Sequence, residues 1–320
     1  MRKIITIAES VLDTTYRNGQ PVRSFVGGRI PCAAASLAQA GLPTFMVSEC
    51  TTDCVGDLVV DYLVNHKVDV KSVDRYPDGS TPFSAIFEQP DGSSKIVNYG
   101  TYPDDRFNVI WPRIDQDDIV IFGSLYAVDL PQRERLYELV SYAAERKAII
   151  VYLPGFQHGI NFRITRVMPH ILENLELSTI VIGHEHDINS IFPGESADEA
   201  FQNHIEFYCN SYVHITPELS VKRYSNHSSE QVTAAPAAVA NKLGWQAGLT
   251  AGIVAMLIAK GVTCDSLPSL DNAAWTEIIT EATKWAQAST GNDNCVDTTF
   301  AAEQAAPLAQ AQQQYEDSKQ

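Results

Sequence analysis

Between residues 242 and 260 the chain carries no charge, and from Ala247 onward its residues are mostly small or apolar. Such a run predicts a helix buried on nearly every side. Gly248 and Gly252 lie four apart, hence on one face, where a neighbouring backbone can come close. About 17 residues interrupted by Gly, Gln and Thr are short and weakly apolar for a membrane span. The helix is expected to begin near Gly244, where free N–H groups and the positive dipole end offer a natural anion site.

The remaining apolar pattern alternates between strand and helix periods. Residues 3–8 form a short apolar strand followed by Glu9-Ser-Val-Leu-Asp13. Asp13 is either a ligand carboxylate at the sheet edge or a turn residue. Phe25-Val-Gly-Gly28 then opens an alanine-rich helix that stops at Gly41. A strand at 44–48, a turn at 51–56 and a helix at 57–65 follow. Alternation at this interval implies a parallel sheet with helices on both faces. Residues 83–87 and 95–99 read instead as a β-hairpin, a lid, an interface or a plain surface feature. Further strands are expected at 117–123, 148–153, 178–183 and 212–216, with an edge hairpin at 220–232 turning at Asn226. Helices are expected at 132–146 and 275–288, and a frayed helix or disorder at 301–320.

Composition narrows the possibilities. A net charge of −16 over 320 residues argues against non-specific nucleic-acid binding, which needs a basic surface. Cys50 and Cys54 lack a second close Cys or His pair, and His184 and His186 stand alone, so no dedicated metal site is expected. The N-terminus runs straight into a strand without a signal-peptide pattern, and the six cysteines are scattered. A cytoplasmic protein with reduced thiols, not bound to membrane, is the expectation.

The order Gly27-Gly28, alanine-rich helix, Asp53-x-x-Gly56 and helix resembles the PfkB (ribokinase-like) carbohydrate kinases, with an opening like that of fructokinases. The resemblance spans about residues 1–300 and implies a three-layer α/β/α fold with a mostly parallel central sheet. It implies one domain with the lid hairpin at 81–100, a tail at 301–320, and a homodimer through the β-lid. It further implies ATP, Mg²⁺ and a sugar as ligands. Asp13, Gly27 and Gly28 would hold sugar hydroxyls, and Asp187 and Asn294 would lie beside the nucleotide.

Several positions depart from that pattern. Cys32 stands where the family has a sugar-binding Asn, and Leu153, Gly155 and Gln157 replace Asp-x-Asn-x-Arg. His184 opens the place of Asn-x-x-Glu, leaving Asp187 as its acid, and Pro217-Glu218 replaces an Arg/Lys–Gly step. At the buried helix, Gly244-Trp245-Gln246-Ala247 fills the place of Gly-Ala-Gly-Asp. The signature Asp is the base for phosphoryl transfer and the glycine-rich turn holds its charge. Ala247 accepts no proton, and a lost base typically costs about 10²–10⁴ in rate. The expectation is a kinase fold that has lost kinase chemistry and acts as a sugar- or nucleotide-binding or regulatory protein. The alternative is an active ATP-dependent sugar kinase with an atypical base, for which Asp13, Asp53, Asp187 and Glu185 are available. A purely structural dimer partner is a third reading.

Overall fold

The structure, a computed structural model, describes residues 1–89, 94–156, 163–225, 228–234, 244–290 and 295–319, the stretch 228–234 as backbone. Gln157, Asn226, Asn294 and the centre of the 90–94 turn lie outside the described residues.

Its first half comprises β1 (Ile4–Ile7), β2 (Val11–Arg17), β3 (Gln20–Gly27), α1 (Arg29–Gln39), β4 (Thr44–Thr51) and α2 (Cys54–Asn65). Then come β5 (Asp69–Tyr76), β6 (Ser80–Glu88), β7 (Ser94–Thr101), β8 (Ile119–Gly123), α3 (Leu130–Glu145) and β9 (Ile149–Leu153). The second half has α4 (Ile164–Leu177), β10 (Ile180–His184), α5 (Glu185–Ile191), α6 (Ala197–Asn203), β11 (Tyr212–Ile215), β12 (Val221–Ser225) and β13 (Ser228–Ala234). The chain ends in α7 (Trp245–Ala259), α8 (Asn272–Thr290), α9 (Thr298–Glu303) and α10 (Ala305–Asp317).

Nine strands form the central sheet in the order β13-β12-β11-β10-β9-β8-β1-β4-β5. From β5 to β11 every pairing is parallel, and β12 and β13 turn antiparallel at one edge. The strands β1, β8, β9 and β10 are buried along their whole length because both sheet faces are covered. Ile4, Ile121, Val151 and Ile182 face one hydrophobic layer with α1, α7 and α8. Ile5, Phe122, Tyr152 and Val181 face the other, with α3, α4 and α6. The expected three-layer α/β/α architecture is present.

Helix α7 is the buried helix the sequence predicts. Its two glycines receive α8. A Cβ on Gly248 would lie 2.6 Å from the Trp285 carbonyl oxygen, and one on Gly252 would lie 2.5 Å from Ala282 Cα.

Two expectations need correction. The lid is a four-stranded sheet, β3-β2-β6-β7, twice the hairpin expected at 81–100. Asp13 is therefore neither at the edge of the main sheet nor in a turn, since it lies within lid strand β2, paired with Phe25 and Ser84. The C-terminal stretch is neither frayed nor disordered but forms α10, with Leu308, Ala311, Gln312 and Tyr315 buried. The Gln312 carboxamide accepts from Arg2 N and donates to Arg2 O, both at 2.9 Å, and Tyr315 donates to Asp117 at 2.7 Å. Those bonds anchor the tail to the residues that lead into β1 and β8.

Candidate active site

Strand β1 is flanked by β4 on one side and β8 on the other. The helices that follow leave on opposite faces, α1 into one core layer and α3 into the other. A crevice opens at the C-terminal ends of strands where such connections diverge. A cavity of about 80 Å³ lies there, lined by Glu9, Gly28, Arg29, Ser124, Leu153 and Gly155 among others. Its floor is closely packed backbone. Gly28 (φ +97°) and Gly155 (φ +67°) are left-handed, and Ser124 holds φ +57°, an uncommon state for a residue with a side chain. A Cβ on Gly155 would approach Ser124 Cα at 3.0 Å.

Asp13, Gly27 and Gly28 come together. The Asp13 carboxylate rests against the Gly27 backbone, so close that a Cβ there would lie 1.8 Å from Oδ2. Burial pushes the Asp13 carboxyl up to about 6, opposed by a Ser84 hydrogen bond and reinforced by the nearby Glu9. Cys32 is buried one turn into α1, its thiol directed at Val26 O at 3.7 Å.

Glu9 and Arg29 are cavity residues that sequence reasoning missed. The hydroxyl of Tyr102, just past lid strand β7, donates to Glu9 Oε1 at 2.7 Å. Burial raises the Glu9 carboxyl despite that bond. The Arg106 guanidinium sits 3.4 Å from the centre of the Tyr102 ring and binds Glu49 and Asp129. The end of the lid is thus tied to the cavity wall through a buried ionic network. Arg29 reaches Asp187 at 3.7 Å.

At the expected nucleotide edge, the polar side chains bond to backbone of the chain itself. Asp187 Oδ1 accepts from Phe156 N at 2.6 Å and Oδ2 from His184 N at 2.8 Å, while His184 Nδ1 accepts from His186 N at 3.1 Å. His184 is therefore a buried helix cap. Glu185 pairs with the buried His214 at 3.1 Å. Asp53 caps α2, accepting from Gly56 N at 2.7 Å and from Thr81 N at 2.8 Å. Although burial raises its carboxyl, those bonds hold it at about 2.

At the start of α7, Gly244 is left-handed (φ +81°) and packs on Cys295, whose Cα and Cβ would both lie 3.1 Å from an added Cβ. The sequence leaves open which way Trp245 points, with obstruction of the turn as one expectation. Its indole is fully buried in the core layer that α1, α7 and α8 share. Gln246 is half-buried, and Ala247 is buried in the same core layer. Trp245, Gln246 and Ala247 thus bring no carboxylate to the turn in place of the missing Asp.

Residues 2–232 match the pfkB family carbohydrate kinase domain. This chain belongs to the pfkB family. The match ends before α7. Solved pfkB-like structures cover nearly the whole chain. The fructokinase from Vibrio cholerae O395, bound to fructose, ADP and calcium, superposes with TM-score 0.77 at 14% identity over 98% of both chains. Aminoimidazole riboside kinase from Salmonella enterica, complexed with aminoimidazole riboside and an ATP analogue, gives 0.76 at 13% identity over 96% and 100%. The ATP-bound fructokinase from Xylella fastidiosa gives 0.75 at 14% over 97% and 99%. At such identities the superpositions speak for the pfkB fold alone. No curated protein gives a significant match.

Proposed function

We propose that this pfkB chain binds a sugar-like polyol beneath its lid, has lost phosphoryl transfer, and serves as a sugar- or nucleotide-binding or regulatory protein. The observation that carries this reading is Ala247, a buried methyl at the helix turn where the resemblance places the catalytic base. Asp53, Glu185 and Asp187 are committed to capping, to His214 and to backbone N–H groups. The residues at the expected Mg²⁺ and phosphate edge fit that group poorly, because Asp187 already serves two N–H groups and faces Arg29.

Asp13 and Glu9 remain as carboxylates beside Gly27, Gly28 and the cavity. Both are held toward protonation by burial, so each can donate to or accept from a hydroxyl. That pairing suits a polyol better than an anion. Lid strand β7 exposes Ile96, Val97 and Tyr99, the apolar surface that a homodimer through the lid would cover.

Thermal unfolding against a sugar panel that includes fructose and ribosides tests the reading. A sugar should raise Tm in the wild type and have no effect in Asp13→Ala. Failure of every sugar would overturn it. A second reading keeps turnover and uses Glu9 as the base, favoured by its carboxyl on the cavity wall. Sugar-dependent ADP release that disappears in Glu9→Gln would establish it.

A further inference from the structure

Arg29, the first residue of α1, lines the cavity beside Ala8, Ser124 and Leu153, which stand at the ends of β1, β8 and β9. Its side chain is 18% exposed, and Nη1 is buried without a hydrogen-bond partner among the described residues. Its counter-charge is Asp187 Oδ2 at 3.7 Å, beyond hydrogen-bond reach. Both Asp187 oxygens already accept from N–H groups, those of Phe156 and His184. The ion pair is therefore open, with a buried donor unmade on the arginine side, and such a donor is costly to leave without an acceptor.

Arg29 is also the one basic side chain among the described residues that line the cavity. Glu9, the acidic one, accepts from Tyr102 and is held toward its neutral form by burial, so it offsets that charge less. Ser124 Oγ accepts from Tyr126 N at 3.4 Å, which leaves its O–H as a second donor on the wall. The cavity, at about 80 Å³, is several times the roughly 10–15 Å³ that one water needs.

We propose that Arg29 is a resident cation that makes this cavity a site for a phosphate group, inorganic or on an ester, without need of a divalent metal ion. The planar guanidinium fork holds two oxygens of one oxyanion. A tetrahedral phosphate has further oxygens for Ser124, which a carboxylate lacks. The resemblance expects Mg²⁺ at this edge, whereas the positive charge beside Asp187 here is the chain's own.

The test follows thermal unfolding of the full chain in EDTA, titrated with sodium phosphate against sodium chloride of equal ionic strength. Phosphate should raise the wild-type Tm to a plateau, with or without added Mg²⁺. Arg29→Gln should bind at least about tenfold more weakly, the cost of a lost hydrogen bond to a charged group. Arg29→Lys, which keeps the charge, should retain part of the affinity. Fructose 6-phosphate separates the sources, since a plateau at lower concentration assigns the site to an ester and no gain assigns it to the free ion. In the wild type, the amide NMR signals of Gly28, Arg29 and Gly155 should move with phosphate, which locates the ion even if a variant fails to fold. No rise in Tm, a rise only with Mg²⁺, or an equal rise in Arg29→Gln would overturn the proposal, as would amide shifts confined to other parts of the chain. Inorganic phosphate needs no sugar, so this site and polyol binding succeed or fail separately.

Discussion

The carboxylate of Asp13 occupies the space that a side chain at Gly27 would need, with Oδ2 only 1.8 Å from where a Cβ would stand. Lid strand and helix entrance are thereby fitted to each other. Gly27→Ala must displace the carboxylate, and overpacking of this kind typically costs about 1–3 kcal/mol. Its Tm should fall, and any sugar-induced rise should vanish with it. Unchanged melting with an intact sugar response would mean that Asp13 is not held by this contact.

Gly252 is a point of close approach between α7 and the backbone of α8. A methyl there meets the Ala282 Cα at 2.5 Å, and backbone cannot step aside as a flexible side chain can. Gly252→Ala should cost about 1–3 kcal/mol or more. Urea unfolding measures it, and a neutral result would contradict the tight crossing.

Asp13 also sets a pH dependence. Its folded carboxyl stands at about 6 against an ordinary 3.8, because burial disfavours the charge. The stabilisation from holding a neutral carboxyl is complete below about 4 and is lost as pH rises through about 6, up to about 3 kcal/mol. Asn mimics the protonated form. Asp13→Asn should therefore melt like the wild type near pH 3.5 and above it near pH 7. Parallel curves across that window would refute the assignment.

Asp187 is placed as a structural anchor that holds the exit of β9 to the start of α5 through the N–H groups of Phe156 and His184. Hydrogen bonds to a charged group contribute about 1.5–3 kcal/mol each. Asp187→Ala should lower stability markedly, and Asp187→Asn, which keeps acceptor capacity at one oxygen, should lower it less. Equal stability of all three proteins would contradict the anchoring role.

Much of the fold was legible because parallel strands with both faces buried leave continuous apolar runs, as in Ile119–Gly123 and Ile149–Leu153. The glycines of α7 were legible for the same local reason, a four-residue spacing. The doubled lid was harder to recognise. Its first hairpin turns at Asn18-Gly19, both left-handed (φ +51° and +74°), and that pair is the sequence signal for it. Glu9, Tyr102, Arg106 and Glu49 carry no such local mark, because a network joining residues 93 and 57 apart is created only by folding. The α10 face is a sparse stripe of Leu308, Ala311 and Tyr315 among Ala and Gln, too weak to separate from a polar tail. The direction of Trp245 likewise depends on the core around it, not on its neighbours in sequence.

The proposed loss of phosphoryl transfer is tested most directly by ADP release from Mg-ATP in the presence of any sugar that raises the protein's Tm. The expected result is no release above the sugar-free background, in the wild type and in Glu9→Gln alike. Sugar-dependent turnover at about 1–100 s⁻¹, the ordinary range for kinases, would contradict it and place a working base elsewhere in the site.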